Sequence, residues 1–276
     1  MFSIIKNKFR QACKLAIKDP LTCWSYFKKS YSSSWIRRTL GSRKIYKGYI
    51  TELEQSNFIE EIETKLVATF DGLQGETPRG QKYVAGAMAK RHAQHLYALV
   101  RHLKPSTIVE TGVCNGFSTA VLLQACAKNG VGRVYSIDYP EFSGAKGKGK
   151  EMWAGKGGAV IPENKEIGWL IPEELKNRWT LQEGLSTDLL PPLLENLQEI
   201  DLFLHDSEHS FRNQYFEMET AYKHLSKSGL LICSDCNWSD AFDTFIAEKV
   251  KIPARSYYID FSLAIIVPEG FSKNQS

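Results

Sequence analysis

The chain has no apolar run near the ~18–20 residues that a helical membrane span requires, and no cysteine-rich stretch. Its six cysteines (Cys13, Cys23, Cys114, Cys126, Cys233, Cys236) are scattered over 276 residues. So thin a set, in a chain this long without a secretory signal, argues against a disulfide framework and for a reducing cytoplasm. Cys233 and Cys236 form one C-x-x-C, but a zinc site of that kind needs a second pair, and buried core thiols account for them. Acids are missing from the first 18 residues. Residues 1–50 carry 12 Lys/Arg and only Asp19, whereas the other 226 carry 23 basic and 30 acidic residues, a net of −7. The overall +4 therefore comes from an N-terminal arm, and the acidic remainder is a poor partner for nucleic acid. A hydrophobic fraction of 43% suffices for the core of one medium α/β domain with an extension.

What is present begins with Thr107–Ala120, TIVETGVCNGFSTA: a short apolar strand, a glycine turn and a helix start. Its core is E-x-G-x-x-x-G, made of Glu110, Gly112 and Gly116. The glycines let the backbone bend sharply and approach a ligand where a Cβ would obstruct it. Twenty-two residues after Gly116, a second apolar strand, Arg133–Ile137, ends in Asp138. An acid at the tip of the second strand of a βαβ unit is placed to accept hydrogen bonds from ribose hydroxyls. Together these predict a nucleoside-cofactor site on a doubly wound α/β sheet. The dinucleotide fingerprint G-x-G-x-x-G has a middle glycine that this chain lacks, which argues against an NAD(P)-dependent oxidoreductase. A plain strand-to-helix turn would use the same glycines.

The pattern resembles motif I of class I S-adenosylmethionine (SAM)-dependent methyltransferases. The resemblance implies that Gly112 and Gly116 shape the cofactor turn, with Asn115 and Ser118 beside it. It further implies that Glu110 faces the methionine end and Asp138 holds the ribose. In that family the loop after the third strand lies beside the adenine, which brings Glu183 and Gly184 into the cofactor set. The fold implied is a Rossmann-like, doubly wound seven-stranded sheet, mostly parallel with an antiparallel last strand, preceded here by a helical extension.

Three parts are expected: a basic amphipathic arm (1–50), a helical lead-in (51–104) and the SAM-binding domain (105–276). In residues 2–18, Phe2, Ile5, Phe9, Cys13, Ala16 and Ile17 recur at helical spacing between lysines and arginines. Such a helix can pack on the main domain or on a second subunit, giving a homo-oligomer. It can also lie on an anionic membrane surface or meet another polyanion. Ser30–Ser34 and Thr39–Lys44 read as flexible connections. Helices are predicted over Glu52–Phe70 and Tyr83–Leu103, with His92, His95 and His102 on solvated or packing faces rather than at a site. Residues 141–172 hold seven glycines among Lys146, Lys148, Lys150 and Lys156, the composition of a lid.

Further along, Asp201–His205 reads as a strand delivering Asp206 and His209 at its end, where open α/β sheets bind ligands. A helix over Phe211–Leu225, closed by Gly229, and a strand Leu230–Cys233 lead to Asp235, Cys236, Asn237 and Trp238. The layout D-x-x-H-S, glycine-capped helix, strand, then an acid near a Trp resembles O-methyltransferases of the methyltransferase 24 type over roughly residues 80–267. These include enzymes acting on sugar hydroxyls, and they resemble catechol-type enzymes in using a divalent cation. An alcohol is a poor nucleophile until a cation lowers its pKa or a base takes its proton. Asp206, Asp235 and Asn237 would suit Mg²⁺, with Asp206 and His209 the catalytic pair and His209 the general base. Relatives often show two consecutive acidic or amide residues after strand five. Here Ser234 takes the first place and Asp235 the second, which removes one expected ligand unless Asn237 or Asp240 replaces it.

The sequence thus predicts a cytoplasmic SAM-dependent O-methyltransferase acting on a hydroxyl of a small molecule or glycan, peripheral to a membrane if the arm binds one. No N/D-P-P-Y/F signature of amino-group methylation occurs, and no nucleic-acid partner is expected. The alternative is a SAM-fold binding or scaffold protein without turnover.

Overall fold

The computed structural model describes residues 34–69, 74–76, 82–84, 87–139, 141–142, 160–162, 164–250, 254–260 and 262–268. The basic helix expected over 2–18 and most of the lid lie outside them.

Helices α1 (Ser34–Thr39) and α2 (Arg43–Gln55) come first. Thr39–Lys44, expected to be a flexible link, is instead the tight corner between them. Leu40 is fully buried there, Thr39 Oγ1 donates to the Trp35 carbonyl, and Ser42 caps α2 by accepting from Ile45 N. The boundary placed at residue 50 therefore falls inside a helix. α3 (Phe58–Thr69) follows after a break at Asn57, whose φ of 55° ends what the sequence suggested was one helix over Glu52–Phe70. Asparagine tolerates that left-handed conformation better than most residues.

Strands β1 (Gln74–Glu76) and β2 (Lys82–Val84) pair as a short antiparallel ladder. Helix α4 (Lys90–Leu103) starts seven residues later than expected, because β2 takes up Lys82–Val84. Its apolar face, with Leu96, Tyr97, Leu99 and Val100 fully or nearly fully buried, joins Trp35, Leu53 and Ile62 in the larger core cluster.

The sheet is built from β3 (Thr107–Thr111), β4 (Arg133–Asp138), β7 (Trp179–Glu183), β8 (Ile200–His205), β9 (Leu225–Ser234), β10 (Arg255–Tyr258) and β11 (Leu263–Val267). Between β4 and β7 a two-residue pair, β5 (Glu141–Phe142) and β6 (Val160–Ile161), stands apart from it. The spatial order is β10-β11-β9-β8-β3-β4-β7. β9, β8, β3, β4 and β7 are parallel and β11 runs antiparallel to β9, the Rossmann-like arrangement expected. The strands are apolar on both faces because helices cover both. α5 (Phe117–Asn129) packs with α4 on one face, while α6 (Ser186–Leu197), α7 (Phe211–Tyr222) and α8 (Ala241–Lys249) cover the other.

Gly229 corrects one expectation. It does not close α7, which ends at Tyr222, but lies inside β9. There the register with β8 slips between Ile200 and Leu202, and a Cβ at Gly229 would stand 3.0 Å from the Ile200 carbonyl oxygen. Glycine in a strand marks such a bulge.

Candidate active site

The C-terminal ends of β3, β4, β8 and β9 converge, as the sequence implied. After β3 the chain turns at Gly112 (φ 88°) and Gly116 (φ 90°) into α5. Both glycines are demanded by the protein's own backbone. A Cβ at Gly112 would lie 2.2 Å from the Asp206 carbonyl oxygen, and one at Gly116 would lie 2.7 Å from Gly168 Cα. The residues 164–171 are fastened over this turn: Gly168 N donates to the Cys114 carbonyl (2.9 Å), Leu170 N to the Asn115 carbonyl (3.1 Å), and Trp169 Nε1 to Asn115 Oδ1 (2.6 Å). The last part of the expected lid is thus anchored on the glycine turn.

Glu110 is fully buried, and its carboxyl accepts from Ser118 Oγ (2.7 Å), Thr119 Oγ1 (2.6 Å) and Ser136 Oγ (3.0 Å). Burial pushes its pKa up to about 7 against the pull of those hydroxyls. Glu110 and Ser118 therefore knit β3, β4 and α5 together, a role that differs from the cofactor contact expected of them. Asp138 is at the tip of β4, where its carboxyl accepts from Cys114 N at 2.7 Å. Burial raises its pKa to about 6. Glu183 is its cross-strand neighbour on β7, and Gly184 N donates to the Asp138 carbonyl.

At the tips of β8 and β9 the structure brings Asp206, His209 and Asp235 together. One ligand atom from each lies within 4.8 Å of the other two. His209 Nε2 is 3.4 Å from Asp235 Oδ2, and its ring packs against Trp238 at 5.1 Å between centroids. Burial, then the charge of Asp235, drives the Asp206 carboxyl well above its usual range, and Glu110 and Asp138 add to the effect. Burial also raises Asp235. Burial and the neighbouring His205 lower His209 to about 3, so its ring is neutral at pH 7 and carries a lone pair. Asp235 has a φ of 47°, a strained conformation that aims it out of the β9 end.

Residues 109–236 match the methyltransferase 24 family, described as a methyltransferase domain. Over that segment, 128 of the 276 residues, the chain is similar to methyltransferase domains. Three solved structures share the fold. The O-methyltransferase from Bacillus cereus in complex with SAH is 18% identical, with 76% of this chain and 90% of that one covered and a TM-score of 0.51. The O-methyltransferase NovP is 17% identical, covering 77% and 98%, at 0.53. A putative caffeoyl-CoA O-methyltransferase from Staphylococcus aureus is 14% identical, covering 80% and 98%, at 0.50. No curated protein matches the sequence.

The residues of the site fit both groups that the resemblance implies. SAM carries a sulfonium cation, and Asp206, Asp235, Glu110 and Asp138 form an electrostatically coupled acidic set that a cation relieves. A divalent metal suits Asp206, His209 and Asp235, whose ligand atoms all lie within 4.8 Å of one another. Among the described residues, the buried Asn237 Oδ1, two residues from Asp235, has no hydrogen-bond partner and is an acceptor left over. The geometry adds His209 to the ligand set drawn from the sequence. Among the described residues no disulfide involves Cys114, Cys126, Cys233 or Cys236, and Cys233 and Cys236 are buried in the core.

Two residues behind the site escaped the sequence reading. His205, the last residue of β8, and Glu217 on α7 are both fully buried and meet at 2.6 Å. Burial opposes ionisation of Glu217. The charge of His205 and the hydrogen bonds from His205, Ser186 and Thr111 outweigh it and hold the carboxyl below its usual range. The available signal was the four-residue step from His205 to His209, with Glu217 one helical turn after Asn213.

Proposed function

We propose that the chain transfers the methyl group of SAM to a hydroxyl oxygen of a small molecule or glycan. The observation that carries this reading is the Asp206–His209–Asp235 cluster beside the glycine turn: a neutral imidazole next to two carboxylates, at the sheet edge where the cofactor of a class I domain lies.

Asp138 accepts from the ribose hydroxyls while Cys114 N holds its carboxyl in place. Gly112 and Gly116 let the turn pack against Asp206 and Gly168, and the segment around Trp169, fastened over that turn, shields the site from water. Asp206 and Asp235, with His209 or Asn237, would hold a divalent cation such as Mg²⁺. When bound, the cation supplies Lewis acidity and SAM the electrophilic methyl group. With Asn237 rather than His209 completing the cation's ligands, His209 receives the proton of the acceptor hydroxyl at Nε2, the ring nitrogen facing the carboxylates. Trp238 lines the same side and offers an apolar, stacking surface to a ring-shaped acceptor.

The test is methylation of a panel of hydroxylated acceptors with SAM carrying a labelled methyl group, with and without Mg²⁺, for wild type and His209→Ala. Label appearing on oxygen, reduced ~10²-fold or more in the variant, supports the reading. SAM bound without label transfer to any acceptor favours a scaffold.

A further inference from the structure

Asp235 follows β9 with a φ of 47°, a left-handed backbone that a side-chain-bearing residue keeps only where its surroundings over-determine it. Its surroundings do so from two elements that flank the loop after β9. The first is α7. Gln214 is fully buried there, and its amide bridges the two ends of that loop. Nε2 donates to the Asp235 carbonyl (3.2 Å) and Oε1 accepts from Ser239 Oγ (2.6 Å). The neighbours fix which way the amide points. A backbone carbonyl can only accept, so the NH₂ group faces Asp235. Ser239 Oγ itself accepts from Ala241 N (3.3 Å), which leaves its hydroxyl hydrogen for Gln214 Oε1. Trp238 N also donates to the Asp235 carbonyl (3.0 Å), so the same oxygen is held from α7 and from within the loop.

The second is the β10–β11 turn, tied to α4 on the other face of the sheet. Cys236 N donates to the Ser262 carbonyl (3.0 Å). Ser262 N and Leu263 N both donate to Asp260 Oδ1, at 3.0 Å each. Asp260 Oδ2 meets His92 Nε2 of α4 at 2.6 Å. Asp260 thus sets the place of Ser262, and Ser262 sets the place of the peptide that leaves Asp235.

We propose that Gln214 and Asp260 are positioning residues that clamp the Asp235–Cys236 backbone, Gln214 directly and Asp260 through Ser262, and so fix where the Asp235 carboxyl stands beside Asp206 and His209. The proposal rests on the reading of Asp235 as a ligand of the cation. Neither Gln214 nor Asp260 belongs to the Asp206–His209–Asp235 cluster; both act on Asp235 through the main chain. Ligand groups need supports that hold them close to the productive geometry, and a clamp on the backbone does this without adding a charge to the cluster.

The experiment is NMR of the full-length protein without added metal or SAM, on wild type, Gln214→Leu, Asp260→Ala and Asp260→Asn. The intraresidue HN–Hα NOE of Asp235 is strong when φ is positive and weak when it is negative. It reports the folded state, so a loss of stability alone does not move it. The expected wild type shows the strong NOE. Gln214→Leu, which fills the same space without the amide, and Asp260→Ala weaken it as Asp235 relaxes to negative φ. Asp260→Asn keeps an acceptor for Ser262 N and Leu263 N and retains it. Mn²⁺ titration of the same samples should show affinity lowered roughly tenfold or more in Gln214→Leu and Asp260→Ala, near wild type in Asp260→Asn, and SAM affinity unchanged in all three. A wild type with negative φ at Asp235 overturns the proposal whether or not the variants fold. The strong NOE persisting in a folded Gln214→Leu or Asp260→Ala overturns it too, as does Mn²⁺ affinity equal to that of a wild type that binds. A wild type that binds no Mn²⁺ sinks the cation reading alone, and the NOE still decides whether the clamp holds Asp235.

Discussion

Gly112 and Asp206 are packed backbone against backbone, so the cofactor turn and the end of β8 form one rigid piece. A Cβ added at Gly112 would stand 2.2 Å from the Asp206 carbonyl oxygen and 2.9 Å from Ser207 Cα. The φ of 88° is also one that side-chain-bearing residues rarely adopt. Gly112→Ala must therefore strain its own backbone and push Asp206 away. The expected cost is at least ~2 kcal/mol in urea unfolding, with weaker SAM binding in whatever folds. A loss below ~0.5 kcal/mol would show that the contact is looser than described.

Glu110 makes stability depend on pH. Its pKa is about 7 in the folded chain and lies near 4.5 when unfolded, so the folded state binds the extra proton. The stability this contributes is present below about pH 4.5 and is lost as pH rises through about 7. Glu110→Gln should flatten that decline by up to ~3 kcal/mol between pH 4.5 and 8, read by urea midpoints across the range. An unchanged pH profile would place the titration elsewhere.

Asp206 and Asp235 compete for protons with any cation they hold. Both carboxyls are raised by burial, and Asp206 by the charge of Asp235 as well. Raising the pH should empty them of protons and tighten Mn²⁺ binding, followed by the spectrum of the free ion at pH 5.5 and pH 8. Asp235→Asn should weaken binding ~10-fold or more at pH 8. Affinity indifferent to both changes would remove the metal from the site.

His92 and Asp260 tie the lead-in helix to the β10–β11 hairpin. His92 Nε2 meets Asp260 Oδ2 at 2.6 Å, while Asp260 Oδ1 accepts from Ser262 N and Leu263 N at 3.0 Å each. Burial opposes the Asp260 charge, but His92 and the two N–H groups outweigh it and leave its pKa lowered. Its contribution is then present above about pH 4 and lost as pH falls through the lowered value. Asp260→Ala should cost about 2–4 kcal/mol at pH 7 and less at pH 3, by urea unfolding. An equal cost at both pH values would mean that charge plays no part.

The sheet was legible because its strands are short apolar runs that end in Glu110-x-Gly112, Asp138, Asp206 and Asp235, and side chains at strand ends share an edge whatever the loops do. Their chemistry was less legible. Glu110 has the motif's spacing, yet three hydroxyls from α5 and β4 enclose it, and only the packing shows that. His205 ends an apolar strand and reads as core, which it is. Its contact with Glu217 appears only when α7 lays that carboxyl beside it. Two elements were misjudged where one residue decides: Asn57 breaks a lead-in helix that composition alone would run through, and Gly229 bulges β9 where a helix cap was expected.

The central claim is that the β3–β4 edge binds SAM through Asp138. Calorimetric titration of the full-length protein with SAM tests it most directly, alongside Asp138→Ala. The account predicts micromolar binding to the wild type and loss of binding in the variant. No heat from the wild type, with or without Mg²⁺, would contradict it.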